Sequence, residues 1–178
     1  MPCSQKGVGA PSGLAPITFS ARARQQRYAR PAFSLDVEKL EDFWMRRSYH
    51  HTISAPLIYA LHAALAEIEE EGLEARWKRH QTVHEALVAG LQELDLELLP
   101  PKADRLASLN AVAVPKGVDA AKVKDRLLNH HHIEIGAGLG PLAGRIWRIG
   151  FMGSGATMGN VDRVLAALAE ALGRSRSK

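Results

Sequence analysis

A lysine close to the start of the chain is the first residue whose type and setting could support covalent chemistry. Lys6 follows the polar pair Ser4 and Gln5 and stands before a turn rich in glycine, alanine and proline, residues 7–13. A lysine amine condenses with a carbonyl group to a Schiff base when burial or a neighbouring charge lowers its pKa. Most lysines near a terminus are simply solvated, so Lys6 alone leaves both interpretations open.

Two later segments combine polar residues with a turn or a strand. The first is Tyr-His-His-Thr at 49–52, which runs on towards Pro56. The second is Gly-Leu-Gly-Pro at 138–141, followed by Arg-Ile-Trp-Arg-Ile-Gly at 145–150. Arg148 alternates with apolar neighbours in this second segment, and its planar guanidinium can bind a carboxylate through two hydrogen bonds. By its residue type alone, the arginine could equally form a structural ion pair with an acidic side chain.

The three segments, in this order and spacing, carry a family resemblance. Together they resemble the C-terminal half of the alanine–glyoxylate (serine–pyruvate) aminotransferase family, which belongs to the class V pyridoxal-phosphate-dependent aminotransferases. The resemblance covers nearly the whole chain, from residue 3 to residue 173. It implies an α/β parent fold, that of the fold-type-I transferases. This chain would then be the end of the large domain followed by an α+β C-terminal small domain.

The resemblance also implies roles for five residues. Lys6 matches the lysine that attaches covalently to pyridoxal 5'-phosphate and carries a proton between the substrate α-carbon and the cofactor. Gln5 matches a neighbour of the cofactor phosphate. Tyr49 and Thr52 match a pair of hydroxyls that reach this phosphate from the other subunit of a homodimer, where they would act as neutral donors. Arg148 matches the arginine that binds the substrate carboxylate.

The implied reaction is a ping-pong transfer of an amino group from alanine or serine to glyoxylate or pyruvate. Members of the family are commonly peroxisomal or mitochondrial, so we expect the peroxisome, with the mitochondrion or cytoplasm as alternatives. Their chains are much longer, and the part before the lysine contains the acidic partner of the pyridine nitrogen. We therefore expect a truncated chain. The alternative function is a catalytically inactive fragment that dimerises with a full-length subunit.

Composition limits the other classes of function. The chain has 178 residues, of which 46% are hydrophobic, so it can bury a core. Its formal net charge is +4, and the basic cluster formed by the arginines at 22, 24, 27 and 30 favours a solvated helix face over a nucleic-acid interface. No segment reaches the roughly 20 apolar residues of a membrane span, and the single Cys3 excludes an internal disulfide. We expect amino-acid and 2-oxo-acid substrates, and neither nucleic acid nor membrane as a partner.

The sequence predicts two domains, residues 1–71 from the large cofactor-binding domain and residues 72–178 as the small domain. Hydrophobic spacings of three and four residues predict helices over 57–68 and 73–94, and Asp119 and Thr157 are predicted N-caps of two later helices. The remaining predicted elements are a strand at 14–19, a basic helix after it, a linker over 31–44, and strands at 94–98, 109–114, 132–135 and 146–151.

Three clusters suggest other chemistry that we consider less favoured. His80 and His84 lie one helical turn apart, as zinc ligands can, but no third ligand accompanies them and we interpret them as interface residues. The histidines at 130–132 fall at the end of a helix, where cationic side chains complement the helix dipole. The glycine-rich segment 136–140 lacks the spacing of a dinucleotide site and is interpreted as the loop before the strand of Arg148.

Overall fold

The computed structural model describes residues 3–26 and 32–174, in which six α-helices accompany a small sheet. The helices are α1 (Ala21–Gln25), α2 (Val37–Arg46), α3 (Ala55–Glu71), α4 (Leu73–Glu93), α5 (Ala120–His131) and α6 (Met158–Ala171). The strands are β1 (Leu109–Ala113), β2 (Gly136–Ala137) and β3 (Ile146–Gly150). None of the described helices has both the length and the apolar character that crossing a membrane requires.

The sheet is antiparallel, with β3 in the centre and β1 and β2 on either side of it. β1 pairs with β3 along its whole length, and β2 pairs with the middle of β3. Neighbours on both sides satisfy the backbone hydrogen-bonding groups of the central strand. β3 is therefore a rigid carrier for a functional side chain.

The hydrophobic core lies between the sheet and helices α4, α5 and α6. Successive side chains of a strand point to opposite faces of a sheet. On β3, Trp147 and Ile149 are buried in the core with 0% and 2% of their surface exposed, whereas Arg148 between them is only half-buried. The core side chains thus fix the register of β3 and leave Arg148 on the face away from the helices.

The helices predicted from residue 57 onward are confirmed. The helices expected over 57–68 and 73–94 are α3 and α4, and they meet at Gly72, whose φ of +79° lets the chain change direction. Asp119 and Thr157 cap α5 and α6 by accepting hydrogen bonds from amides of the first turn. The predicted domain boundary falls at the junction of α3 and α4 and stays a prediction.

Two of the four strands predicted in the second half are confirmed and two are misplaced. The strands over 109–114 and 146–151 are β1 and β3. The strand over 94–98 is wrong at its start because the chain turns there after α4, and only one bridge near its end joins β1. The strand over 132–135 is wrong because His132 ends α5 with a φ of +54°, and the paired residues follow as β2.

The strand predicted over 14–19 is also wrong. No strand among the described residues pairs with this segment, and a strand is defined by a hydrogen-bonded neighbour. Ile17 and Phe19 within it are 52% and 42% exposed. The strand-like composition of this segment was therefore a poor guide, because pairing depends on residues elsewhere in the fold.

The segment predicted as a linker after it contains helix α2. Asp36 caps this helix by accepting hydrogen bonds from two amides of its first turn. The expected basic helix is reduced to α1, which holds Arg22 and Arg24. The two other arginines of the basic cluster, Arg27 and Arg30, lie outside the described residues.

Candidate active site

Lys6 lies in a tight turn whose ends are tied together by the backbone. The Ser4 carbonyl accepts a hydrogen bond from the amide of Ala10 at 3.0 Å, and the Lys6 carbonyl accepts one from the amide of Gly9 at 2.9 Å. Ser4 is fully buried, and its hydroxyl donates to the carbonyl of Pro11 at 2.6 Å. Ser4 thus anchors the turn while Lys6 remains exposed. This role of Ser4 was not predictable from the sequence alone, because it depends on the carbonyl of Pro11 folding back onto Ser4.

The lysine turn is in direct contact with the short turn that follows β3, Gly153–Gly155. A Cβ added to Gly153 would lie 2.9 Å from the Cα of Gly9. Both glycines have positive φ, +82° at Gly9 and +59° at Gly153, a conformation that other residues adopt only with strain. The close approach of the two turns therefore requires glycine on both sides.

Arg148 is positioned by the sheet. It lies opposite Ala111 of β1 and Gly136 of β2, and its Nε donates to the carbonyl of Ala137 at 2.7 Å. A Cβ on Gly136 would come within 3.3 Å of the Arg148 side chain, so this glycine makes room for it. The hydrogen bond from Nε fixes the plane of the guanidinium, and a fixed plane suits the recognition of a carboxylate.

The structure brings Lys6 and Arg148 into one cleft. Its volume is about 500 Å³, within the usual range of small-molecule sites. Phe151, Met152 and Asn160 also line it, so the cleft has both apolar and hydrogen-bonding walls. The turn before α1 and the central strand β3 thus converge on the same space.

The charges that line the cleft are mainly positive. Lys6, Arg148 and Arg163 contribute cations, whereas Glu134 is the single carboxylate among the described residues that line it. Opposite charges attract, and several converging cations raise the local concentration of an anionic ligand. The arrangement therefore suits a small anion such as a carboxylate or a phosphate ester.

The other three predicted site residues do not line this cleft. Gln5 is exposed beside Lys6. Tyr49 and Thr52 lie on the segment between α2 and α3, with their hydroxyls 3.0 Å apart, and 77% of Tyr49 is exposed. The structure thus pairs the two hydroxyls with each other, but it does not bring them to Lys6 within a single chain.

The segment that carries this hydroxyl pair is anchored by His50. His50 is buried, and its ring stacks on Phe33 with the ring centres 4.3 Å apart. Its Nε2 lies 3.0 Å from the carbonyl oxygen of Phe33, and its Nδ1 lies 2.8 Å from Nδ1 of His51. The two histidines thus fix the backbone between Tyr49 and Thr52, which presents both hydroxyls at the surface.

A cluster of ions beside the lysine turn was also missed by sequence reasoning. Glu71 at the end of α3 binds Arg76 and Arg79 of α4, with shortest distances of 2.8 Å and 2.6 Å. Hydrogen bonds from Arg79 and from Arg76 lower the pKa of Glu71 to about 2, against the partial desolvation that raises it. The same carboxylate raises the pKa of Arg79. In the sequence this cluster shows only as Glu71 immediately before Gly72, with two arginines a few residues further along, and this pattern does not by itself predict an ion network.

The other histidine and glycine clusters have structural contacts. His84 is buried, and its Nδ1 lies 2.7 Å from the side-chain oxygen of Asn110 on β1. His80 places its Nδ1 2.7 Å from the Arg76 carbonyl. No group of three or more potential metal ligands is found in the part of the chain that the structure describes. The histidines at 130–132 lie at the end of α5, and the segment 136–140 leads through β2 towards the strand of Arg148.

Comparison with known proteins assigns the chain to a family. Residues 4–148 match the family Aminotransferase class-V, and this range includes both Lys6 and Arg148. The chain belongs to this family, whose members are pyridoxal-phosphate-dependent transaminases. The family predicted from the sequence is thereby confirmed.

The relatives are transaminases whose names include glyoxylate. The chain is 40% identical over 182 residues to the alanine–glyoxylate aminotransferase of Drosophila melanogaster, covering 97% of this chain and 46% of that protein. It is 37% identical over 188 residues to the (S)-ureidoglycine–glyoxylate transaminase of Bacillus subtilis, covering 93% of this chain and 45% of that protein. The chain therefore spans about half the length of the curated relatives it matches.

Solved structures confirm the predicted fold class. The crystal structure of an alanine–glyoxylate aminotransferase from Nostoc sp. superimposes with a TM-score of 0.91 at 43% identity, over 96% of this chain and 46% of that chain. A pyridoxamine–pyruvate aminotransferase from Mesorhizobium loti gives 0.88 at 29% identity, again over 96% of this chain and 46% of that one. The chain has the fold of part of a fold-type-I transferase.

The cleft fits the cofactor that this family uses. Pyridoxal 5'-phosphate carries an aldehyde and an anionic phosphate, so its site needs a primary amine and a positive environment. The exposed Lys6 amine and the surplus of cations in a cleft of about 500 Å³ satisfy both requirements. Lys6 is the residue that would hold the aldehyde carbon.

Proposed function

We propose that this chain carries the lysine and the substrate-binding arginine of a transaminase that moves an amino group from alanine or serine to glyoxylate or pyruvate. The observation that supports this most is that Lys6 and Arg148 line one cationic cleft. Two relatives named above act on glyoxylate according to their names. A small oxo acid and a small amino acid are therefore the favoured substrates.

Lys6 is the proposed catalytic residue. Pyridoxal phosphate, when bound, supplies an electron sink that stabilises negative charge on the substrate α-carbon. Lys6 Nζ would bind the cofactor covalently and, once displaced by the substrate amine, would accept the proton from the substrate α-carbon and deliver it to the cofactor. The tight turn limits where this amine can reach, because its backbone is closed by hydrogen bonds at Ser4 and Lys6.

Arg148 is the proposed carboxylate-binding residue. Its Nε is already used by the Ala137 carbonyl, so the terminal nitrogens of the guanidinium remain available to a ligand in the cleft. Two parallel hydrogen bonds to a carboxylate would orient an amino or oxo acid with its α-carbon at a constant distance from Arg148. This orientation would let Lys6 act on the same atom of each substrate.

Gln5, Tyr49 and Thr52 are proposed to bind the cofactor phosphate. The hydroxyl pair is exposed on a segment that does not reach the Lys6 cleft of its own chain. A homodimer, in which each chain contributes Tyr49 and Thr52 to the site of the other, would use both hydroxyls. Exposed apolar side chains near this segment support such an interface, notably Leu35, Trp44 and Met45, each more than half exposed.

The test is to incubate the 178-residue chain with pyridoxal 5'-phosphate, reduce with borohydride and locate the modified residue by mass spectrometry. We expect modification of Lys6 far above that of Lys78 and Lys116, which are also exposed but lie outside the cleft. Uniform labelling of the three lysines would contradict the proposed role of Lys6, because exposure alone would then explain the reaction.

A second candidate function is a catalytically inactive fragment that dimerises with a full-length subunit. The exposed hydroxyl pair favours it, because Tyr49 and Thr52 could serve a partner's site even if the Lys6 cleft were inactive. Mixing the chain with a full-length alanine–glyoxylate aminotransferase and measuring the mass of the complex by light scattering tests this function. This function is supported if the Tyr49→Phe chain still forms the complex but the complex binds less cofactor than with the wild-type chain.

The cellular location is proposed from the family alone. We propose the peroxisome, with the mitochondrion and the cytoplasm as alternatives, since transaminases of this kind are found there. The C-terminal residues 175–178 lie outside the described residues. Fluorescence microscopy of the tagged chain distinguishes the three compartments.

A further inference from the structure

Glu71, Arg76 and Arg79 form a continuous ion network at the junction of α3 and α4, which we call the brace. Glu71 Oε2 accepts hydrogen bonds from Arg76 Nη1 and from Arg79 Nη2, each at 2.8 Å, and Glu71 Oε1 accepts one from Arg79 Nε at 2.6 Å. Arg79 thus binds the carboxylate through two parallel hydrogen bonds, the strongest geometry available to this pair.

Each arginine of the brace also binds backbone carbonyls of a distant turn. Arg76 Nη2 donates to the carbonyl of Gly7 at 3.1 Å, one residue after Lys6. Arg79 Nη1 donates to the carbonyls of Gly153 and Ala156, at 3.0 Å and 2.8 Å. One carboxylate therefore connects the lysine turn to the turn that follows β3.

These two turns are the parts of the chain that determine where the Lys6 amine lies relative to the cleft. The turn after β3 contributes Gly155 to the cleft wall, and Gly153 touches Gly9 of the lysine turn. The contact between the two glycines contributes only weak dispersion attraction and no polar interaction, so it resists separation of the two turns only slightly. The hydrogen bonds of the brace supply the resistance to separation.

The brace depends on Glu71 because both arginines need a counter-charge. Only 6% of Arg76 is exposed, and a buried cation that loses its partner is strongly destabilising. Without the carboxylate, the guanidinium groups of Arg76 and Arg79 would repel each other where both now converge. The lowered pKa of Glu71 agrees with a carboxylate that stays charged in this position.

We propose that Glu71 is a positioning residue for the Lys6 amine, acting through Arg76 and Arg79 on the two turns that they bind. The inference rests on the proposed function, in which Lys6 is the reactive residue. Loss of the brace would allow the lysine turn to move away from the turn after β3. The amine would then be presented to the cleft for a smaller fraction of the time.

The first experiment measures amide hydrogen exchange in Glu71→Gln, with Glu70→Gln as the matched control on the same helix. The amides of Gly9 and Ala10 report on the turn, because they donate to the carbonyls of Lys6 and Ser4. We expect their exchange to accelerate roughly tenfold or more in Glu71→Gln, the factor that corresponds to about one lost hydrogen bond to a charged group. Exchange in β1 and β3 should rise by a smaller factor, the one set by the loss of global stability.

The second experiment measures the reactivity of Lys6. The ratio of pyridoxal-phosphate labelling at Lys6 to that at Lys78, after borohydride reduction, should fall in Glu71→Gln and recover in part in Glu71→Asp, which keeps the charge. Arg76→Lys should behave like Glu71→Gln, because an ammonium group cannot present separate nitrogens to Glu71 and to Gly7. A uniform loss of structure would instead raise exchange throughout the chain and would not be rescued by Glu71→Asp.

The proposal is overturned if Gly9 and Ala10 exchange in Glu71→Gln as they do in Glu70→Gln, or if exchange rises equally in the turn and in β3. These amides report on the turn without any cofactor, so the result stands apart from the proposed function. The proposed function is instead contradicted if, in the wild-type chain, Lys6 is labelled no faster than Lys78, whatever the amide exchange of Glu71→Gln shows.

Discussion

The two residues that carry the proposed chemistry are held in different ways. Lys6 is at the exposed part of a turn that is closed by the buried Ser4, so its backbone is fixed while its four-carbon side chain keeps some reach. Arg148 is on a central strand, and the carbonyl of Ala137 fixes the plane of its guanidinium. This difference suits the proposed roles. The Lys6 amine would have to move between bonding partners, whereas the Arg148 guanidinium would have to hold one ligand in place.

Glu71 has a pH dependence that unfolding measurements can detect. Its pKa is lowered from an ordinary value of 4.5 to about 2 in the folded protein. A lowered pKa means that the unfolded chain takes up the proton first, so the contribution to stability is complete above pH 4.5 and is lost as the pH falls towards 2. We predict that the difference in Tm between wild type and Glu71→Gln narrows steadily over this range.

The difference in Tm between wild type and Glu71→Gln reports on Glu71 alone. Glu170 also has a lowered pKa, through its hydrogen bond with Arg126, but it is present in both proteins and its effect on the difference cancels. A difference in Tm that stays constant from pH 5 to pH 2 would contradict the account, because it would mean that Glu71 gains nothing from being charged.

The sequence supplied the two proposed reactive residues, Lys6 and Arg148, but not the contacts that support them. Lys6 and Arg148 could be chosen because their neighbours form recognisable motifs. The brace could not, because Arg76 and Gly7 are 69 residues apart and Arg79 and Gly153 are 74 residues apart. Contacts over such separations exist only once the elements between them have folded.

At the scale of elements, the contact between the lysine turn and the turn after β3 makes a sharp prediction. Gly153→Ala should destabilise the protein by about 1–3 kcal/mol, since it combines backbone strain at positive φ with a clash against the Cα of Gly9. Chemical denaturation measures this change. The same variant should reduce labelling of Lys6, because the turn that holds Lys6 must shift.

Gly155→Ala is the matched control for this prediction. Gly155 belongs to the same turn, but it has no atom within 4 Å of an added Cβ and no positive φ. We expect its free energy of unfolding to stay within about 0.5 kcal/mol of wild type. Equal destabilisation by both substitutions would mean that the turn tolerates no side chain at all, and the contact with Gly9 would lose its special role.

Elements with a strong hydrophobic period were predictable, and elements that depend on partners were not. The core-facing residues of α4 and α6 recur at helical spacing, and both helices are where the sequence placed them. The segment 14–19 was predicted as a strand but has no paired strand among the described residues. Helix α2 was missed although Asp36 gives a cap signal, because the surrounding sequence was interpreted as a linker.

At the scale of the whole molecule, the chain spans about half the length of its curated relatives and presents a cleft open to solvent. It also exposes large apolar side chains, among them Trp44, Met45 and Tyr59, of which at least 60% is accessible. Exposed apolar groups of this size commonly mark interaction surfaces. The proposed homodimer and the proposed pairing with a full-length subunit would both cover such a surface.

The central claim is that this chain carries the covalent and the substrate-binding residue of a transaminase. The most direct measurement is the absorbance of the purified chain with pyridoxal phosphate, compared among wild type, Lys6→Ala and Arg148→Gln, before and after addition of alanine. We predict a visible band in wild type and Arg148→Gln that is absent in Lys6→Ala. Alanine should bleach the band readily in wild type and only at much higher concentration in Arg148→Gln.

Each variant separates one part of the claim. Lys6→Ala tests where the cofactor attaches, and Arg148→Gln tests how the substrate carboxylate is bound. A band that is equally strong in wild type and Lys6→Ala, or that alanine leaves unchanged in wild type, would contradict the account.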